Sequence, residues 1–401
     1  MTVIEPHVGV PKGLLRVLVL FHESQSLGAG TSVIRALPTL KTLGWTASAW
    51  FPGPGPLVDD LDTGLTKRFV VERPVAVSVA GWRAPPGVVA RVVRTPSYFR
   101  QLRRTLEQER PHIVHANTLL SLPEALVARS CGIPLVLYVH ELPPAGPKRA
   151  AAYHLAAHTA DVLVGVSEAV TAMLPTAAGR TPVHTVHNGV PIPPDDLGPV
   201  DGPFVVGTVG TVSRVKGTDT FLRAARTALT QRPSLRFEHV GSPDLHRDGE
   251  LDAELHGILG EHGGAPDIAM LGSRPASIAI RGWSVFVLTS RSEGFPLATL
   301  EAMALGLPVI ATTAGGVPEQ IEHLRTGILV RPDDHEAVAT WIVRLHDDED
   351  LRLRIGQGGR ERVRADFTVA RQAEGMHRAY LTALNRRFGP PVVRRRARLG
   401  A

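Results

Sequence analysis

Short apolar, β-branched runs alternate with longer stretches whose apolar positions recur every three or four residues, and the alternation extends along nearly the whole chain. In the first half, runs at 16–21, 46–50, 113–116, 135–140, 162–166 and 183–186 predict strands, while 31–43, 88–110, 122–130 and 149–159 predict helices. Strand then helix, repeated, is the pattern of a parallel sheet covered on both faces. A Pro-dense stretch from Gly189 to Asp196 can continue neither element, which places a linker at 191–203. Beyond it the alternation restarts, with strands expected at 204–210, 236–240, 268–271, 285–288, 308–311 and 328–330. Helices are expected at 219–228, 251–259, 297–305, 337–345 and 370–387. The fold class is therefore α/β, with two doubly wound, Rossmann-like parallel-sheet domains at 1–190 and 204–375 facing a cleft. A final helix with a basic tail, 376–401, is expected to pack back on the first domain. The stretch 58–96 is expected to supply loops of the first domain.

Composition narrows the class. A chain of 401 residues that is 43% hydrophobic and 20% charged can bury two cores, and its glycines and prolines are scattered rather than run together, which excludes collagen-like and disordered chains. One cysteine, Cys131, can make no disulfide within the chain and no Cys-built zinc site, so a reducing, cytoplasmic compartment is expected. The first ten residues lack a basic leader region, and no stretch approaches the roughly 20 apolar residues that span a bilayer. The formal charge of +6 suits an anionic partner. Nucleic acid is not expected, because aromatic residues make up only 5% and none interleave with a basic segment as a base-stacking platform requires. Arg394, Arg395, Arg396 and Arg398 form either a peripheral contact for acidic lipid or a solvated tail. Lysine is scarce, occurring only at positions 12, 41, 67, 148 and 216, which singles out Lys216 in the second half.

The richest segment for chemistry is Ser290-Arg291-Ser292-Glu293-Gly294-Phe295-Pro296-Leu297-Ala298-Thr299-Leu300-Glu301. A strand runs into a turn, and Pro296 suits a first helical position, so unpaired N–H groups and the helix dipole would face an anion at the strand end. Glu293 and Glu301 bracket that helix start. Carboxylates repel phosphate but accept hydrogen bonds from sugar hydroxyls, so the arrangement suits a sugar nucleotide better than bare phosphate; a cap and a solvated helical glutamate are the plain alternative. Two Asp-x-Asp spacings, Asp60-Leu61-Asp62 and Asp348-Glu349-Asp350, match a divalent-metal pair, but one sits in a Gly/Pro-bounded loop and the other in a polar connection between helices, so no metal site is expected.

Glu293-x7-Glu301, with its neighbours at 285–290, 306–312, 315–319 and 326–330, resembles the E-x7-E motif of retaining GT-B glycosyltransferases of family 4. The stations His112 to Ala116, Gly165 to Glu168 and His187 to Val190 are similar to others in that family. The resemblance implies a retaining, metal-independent hexosyl or aminohexosyl transfer from a nucleoside diphosphate sugar, UDP by family frequency, to a hydroxyl of a sugar, lipid-linked or natural-product acceptor. No cofactor is implied beyond the donor itself. By resemblance Glu301 binds the ribose, Glu293 the transferred sugar, and Lys216 the diphosphate. Gly294, Phe295, Leu297, Thr299 and Leu300 line sugar and phosphates, Arg274 lies near the nucleobase, Gly28 and Gly30 approach the diphosphate, and His140 contacts the donor sugar. His140, Lys216 and Glu293 are thus the implied catalytic set. The chain departs from the pattern at Thr211, where relatives carry an arginine; Arg214, two residues before Lys216, is the expected substitute. An epimerase or phosphorylase-type enzyme on the same fold, and a non-catalytic donor-binding subunit, are the competing readings.

Overall fold

The computed structural model describes residues 14–25, 28–59, 64–73, 88–142, 146–175, 181–194, 202–242, 249–259 and 267–389. The chain divides into two compact units. The first runs to Val166, takes up Val170–Val186, and resumes at Gln372; the second comprises Ser167–Ala169 and His187–Arg371. The division at Val186 lies just ahead of the Pro-dense stretch.

The first unit contains β1 (Leu15–Leu20), α1 (Gly28–Thr42), β2 (Trp45–Phe51), α2 (Pro56–Asp59), β3 (Leu65–Val70), α3 (Val88–Glu109) and β4 (Ile113–Asn117). It continues with α4 (Leu122–Ser130), β5 (Leu135–Val139), α5 (Pro147–Thr159), β6 (Val162–Gly165), the second half of a short α6 (Glu168–Thr171) and β7 (Val183–Thr185). Its sheet is parallel throughout, in the order β3-β2-β1-β4-β5-β6-β7. Every residue of β4, β5 and β6 is buried, as continuous apolar runs covered on both faces require.

The second unit contains β8 (Val205–Val209), α7 (Thr218–Gln231), β9 (Arg236–Val240), α8 (Gly249–Leu259), β10 (Ile268–Met270), α9 (Ala276–Ala279) and β11 (Val285–Leu288). Then follow α10 (Leu297–Ala304), β12 (Val309–Thr312), α11 (Val317–Gln320), β13 (Ile328–Val330), α12 (His335–Asp347), α13 (Glu349–Asp366) and α14 (Val369–Phe388). Its six strands are parallel in the order β10-β9-β8-β11-β12-β13. Phe221, Leu222 and Ala225 of α7 and Val338 and Ile342 of α12 bury their faces against Val206, Val285 and Ile310 of the sheet. In each sheet the strand order reverses once, between β1 and β4 and between β8 and β11, and crevices for ligands open at the carboxyl ends of strands at such reversals.

From Gln372 onward α14 belongs to the first unit. Its buried positions, among them Gln372, Met376, Tyr380 and Leu384, recur at helical spacing. The Tyr380 hydroxyl lies 2.7 Å from His115 Nδ1, Gln372 donates to the Ser32 hydroxyl at 2.7 Å, and Trp45 Nε1 donates to His377 at 2.9 Å.

The sequence reading departs from the structure at two places. The loops expected over 58–96 include the edge strand β3, whose residues LTKRFV are nowhere fully buried and so lack the apolar alternation that announces a strand. The polar connection expected at 348–350 does join two helices, but the second of them, the 18-residue α13, is not among the helices expected from the sequence. Its buried stripe is Leu351, Ile355, Gly356, Gly359 and Val363, and two glycines in that stripe hide it from a search for apolar periodicity. They are there for proximity, because a Cβ on Gly356 would strike the Gly306 carbonyl. Asp348 caps α13 by accepting from Leu351 N–H at 2.9 Å, and Glu349 pairs with Arg352 at 3.0 Å.

Intrinsic propensity favours alanine over glycine inside a helix by roughly 0.5–1 kcal/mol. Gly257→Ala in α8, with open space around it, should gain about that much. Gly356→Ala should instead lose about 1–3 kcal/mol through overpacking. Denaturant midpoints of the two variants check the opposite signs.

Candidate active site

The second unit gathers its chemistry at the carboxyl ends of β8 and β11. After β8 the chain passes through Gly210 to Lys216 and reaches Gly217 in the left-handed region, at φ 65°, from which α7 starts. Glycine is required there both by that angle and because a Cβ would strike the Thr289 carbonyl just beyond β11. The Thr289 hydroxyl donates to the Gly217 carbonyl at 2.8 Å, which ties the two loops together. Lys216 Nζ consequently sits 2.8 Å from Glu293 Oε1, and the Ser290 hydroxyl donates to the same oxygen at 2.6 Å. The Glu293 side chain is 8% exposed and that of Lys216 35%. Two residues read as separate contacts, one for phosphate and one for sugar, are thus an ion pair whose lysine side chain is about a third exposed.

Pro296 stands one position earlier than expected, as the cap of α10 rather than its first residue, and as a proline its side chain offers the helix's first N–H groups no acceptor. Thr299 is fully buried in the first turn with its hydroxyl unpartnered among the described residues, and Glu301 is the fifth helical residue. The approach to α10 is rigidly held. Asn188 donates to the Phe295 carbonyl at 2.9 Å, Gln320 donates to the Pro296 carbonyl at 3.0 Å, and the Gly316 N–H donates to the Glu293 carbonyl at 3.2 Å. Phe295 is buried, its ring stacked on His187 at 4.7 Å, so its backbone rather than its side chain is available to a ligand. Leu300 is buried in the core, while Gly294 and Leu297 flank the helix start. His187 in turn pairs with Glu319 at 2.9 Å, and Glu319 also accepts the N–H groups of Glu168 and Ala169. Burial works against the charge of Glu319, yet these bonds outweigh it and hold the carboxyl below its ordinary range.

Arg214 is turned toward α8, where its guanidinium pairs with Glu254 at 3.0 Å, beside Arg223 at 2.8 Å on the same carboxylate. It would have to leave Glu254 to serve a diphosphate. Arg274 is exposed and donates to the Leu271 carbonyl at 3.2 Å.

In the first unit the corresponding reversal carries His22 and Glu23 after β1, Asn117 and Thr118 at the end of β4, and His140 and Glu141 after β5. Thr118 takes the unusual angle φ 91°, and its hydroxyl accepts the Leu120 N–H at 3.1 Å. Burial pushes all the titratable groups toward neutrality. His140 lies well below the ordinary imidazole range, first through burial and then through His115 and His22. His22 falls to about 4 through burial and the Arg73 charge. Glu23 rises to about 7 through burial and then the neighbouring Glu141. His140 Nε2 is buried and unpartnered among the described residues, its ring 4.5 Å from that of Tyr138. Gly28 opens α1 with free space around it, whereas Gly30 is buried against Leu57. Asp60-Leu61-Asp62 and Arg394 to Arg398 lie outside the described residues. Among the described residues no three carboxylate, histidine or cysteine side chains converge as metal ligands, and no helix is long and apolar enough to cross a membrane.

Comparison with known proteins follows the two sheets. The family model for Glycosyltransferase Family 4 matches residues 28–192, and that for Glycosyl transferases group 1 matches residues 193–362. D-inositol 3-phosphate glycosyltransferase 1 of Catenulispora acidiphila is 30% identical over 316 residues, 70% of this chain and 74% of that protein. This chain belongs to the GT-B glycosyltransferases of family 4. The family 4 chain is also 29% identical over 183 residues, 44% of its length, to the Staphylococcus aureus capsular polysaccharide biosynthesis glycosyltransferase CapM, spanning 47% of that relative. It likewise spans about half the length of the Rhizobium leguminosarum lipopolysaccharide core biosynthesis mannosyltransferase LpcC, 52%, at 32% identity over 46% of this chain. Its fold is similar to that of Anabaena Alr3699/HepE in a crystal structure with UDP and glucose, with a TM-score of 0.74 at 21% identity over 91% of this chain and 98% of that one.

Sequence reasoning about this family 4 glycosyltransferase missed Glu23, Glu141 and the Asp219–Arg291 pair. The first two follow directly after buried strands, where polar residues at strand ends are the available signal. Arg291 lies inside the quoted motif, but its acidic partners are distant in sequence.

Glu23 supplies a pH test. Its folded value of about 7 against an ordinary 4.5 means that ionisation penalises only the folded state. The cost is absent below the unfolded value and complete once pH rises past the folded one. Glu23→Gln should therefore be more stable than the parent at pH 8, by about 3 kcal/mol for a rise from 4.5 to about 7 at 1.36 kcal/mol per unit, and equal to it at pH 4. A pH-independent difference in unfolding free energy would contradict this reading.

Proposed function

We propose that the chain transfers a hexosyl or aminohexosyl unit from a UDP-sugar to an acceptor hydroxyl with retention of anomeric configuration and without a divalent cation. The carrying observation is the uncapped start of α10 beside the Lys216–Glu293 pair. Unpaired N–H groups and a lysine attract a diphosphate, while an adjacent carboxylate rejects phosphate and accepts from hydroxyls. The UDP and UDP-glucose held by the Anabaena structures support a uridine donor.

In this reading Lys216 moves from Glu293 to the diphosphate, and Glu293, released, receives hydroxyls of the transferred sugar. As the bond from C1 to the diphosphate oxygen breaks, negative charge grows on the leaving group, where Lys216 and the α10 N–H groups stabilise it. The acceptor oxygen bonds to C1 from the same face and passes its proton to the departing diphosphate oxygen, so no enzyme nucleophile is needed. Glu301 accepts from the ribose hydroxyls. Arg214 is a second cation only if it exchanges Glu254 for phosphate. His140, neutral at physiological pH, hydrogen-bonds sugar rather than balancing charge. The first unit carries the acceptor, whose class is a sugar, a lipid-linked saccharide or a natural product.

The two glutamates should separate kinetically. Glu301→Ala should weaken UDP itself by about 10–100-fold, one hydrogen bond to a charged group being worth roughly 1.5–3 kcal/mol. Glu293→Gln should leave UDP affinity equal or tighter, because Lys216 loses its competitor, while kcat falls. Titration calorimetry with UDP alongside turnover of UDP-glucose distinguishes them, and equal loss of UDP affinity in both variants would overturn the assignment. Turnover should also persist in EDTA; loss restored by magnesium or manganese would replace Lys216 with a metal as the source of positive charge.

A further inference from the structure

We infer that Arg291 is a positioning residue for Lys216, locking the turn that presents its ammonium. The inference rests on the diphosphate role proposed for Lys216, and its structural half stands apart from that role. Arg291 lies between β11 and Glu293 and reaches the 214–217 turn in two ways. Its own N–H donates to the Val215 carbonyl at 2.8 Å, and its guanidinium donates to the Arg214 carbonyl. The two carbonyls directly before Lys216 are thus both held by one residue.

The guanidinium is itself fixed. It forms two bonds to Asp219, at 2.9 and 2.7 Å, and a contact with Asp333 at 2.6 Å. Asp219 stands in the first turn of α7 and is 8% exposed, while Asp333 precedes α12. Burial opposes the charge on Asp219, yet the bonds from Arg291 hold its carboxyl below the ordinary range. An exposed ion pair contributes little, but this one is bidentate, shared between two carboxylates and directed at a backbone carbonyl. Lysine could not reproduce it, because an ammonium is a point charge without a planar fork.

The consequence concerns a flexible side chain. Lys216 has four rotatable bonds, and its ammonium contacts Glu293, two residues beyond Arg291. Together with the Gly217–Thr289 contact, Arg291 therefore sets the distance between the two loops whose side chains form the ion pair. With the turn free, Lys216 would sample many positions and its contribution to phosphate binding would fall without any change in its chemistry.

The scarcity of lysine makes this measurable. Reductive 13C-methylation labels five lysines and the amino terminus, and the Lys216 signal is the one missing from Lys216→Arg. In the parent protein that signal should stand apart from free dimethyl-lysine; in Arg291→Gln, which keeps the backbone bond to Val215 but loses the guanidinium bonds, it should shift toward the free position. Arg291→Lys and Asp219→Asn, which retain more of the local charge, should move it in the same direction if Arg291→Gln folds poorly. UDP affinity by calorimetry should fall about 10–30-fold in Arg291→Gln, and the double variant Arg291→Gln with Lys216→Ala should bind UDP no more weakly than Lys216→Ala alone. An unmoved Lys216 signal in a folded variant, or additive losses in the double variant, would overturn the inference. If the parent protein fails to bind UDP, the functional reading fails, and the lysine signal still decides whether Arg291 positions Lys216.

Discussion

In the second unit an ammonium and a carboxylate from two different loops stand at hydrogen-bonding distance because the loops are tied together backbone to backbone. Gly217 can approach Thr289 only without a side chain, the Thr289 hydroxyl closes the contact, and Arg291 holds the two carbonyls before Lys216. Everything proposed for the donor depends on that tie. It brings a lysine and a glutamate to the start of α10, at the reversal of strand order where α/β sheets hold ligands. Paired with one another, the two groups avoid leaving the mostly buried Glu293 without a partner.

The first unit solves a different electrostatic problem. Its strand ends collect histidines and glutamates with little solvent, and burial drives His22, His115 and His140 toward the neutral imidazole and Glu23 and Glu141 toward the neutral acid. Such a surface can exchange hydrogen bonds with uncharged hydroxyl groups, whereas the second unit supplies localised charge.

Much of this was legible in the sequence. Fully buried parallel strands are short apolar runs, so β4, β5, β11 and β12 announce themselves, and a strand followed by Pro296 and a helical stretch marks α10. What stayed hidden was structure that apolar patterning does not encode. β3 is an exposed edge strand, and α13 buries glycines where a search expects large apolar residues. The sequence singles out candidate residues but not their contacts. Lys216 and Glu293 were recognisable, but their pairing across 77 positions, the engagement of Arg214 by Glu254, and the bridging of Asp219 and Asp333 by Arg291 arise only from the chain's path.

The central claim is that Lys216 exchanges Glu293 for the donor diphosphate. A crystal structure of the protein with UDP-glucose tests it most directly. The account predicts Lys216 Nζ within about 3 Å of a phosphate oxygen, with Glu293 turned to the hydroxyls of the glucose. A bound donor whose diphosphate is contacted by other groups while Lys216 remains on Glu293 would contradict it.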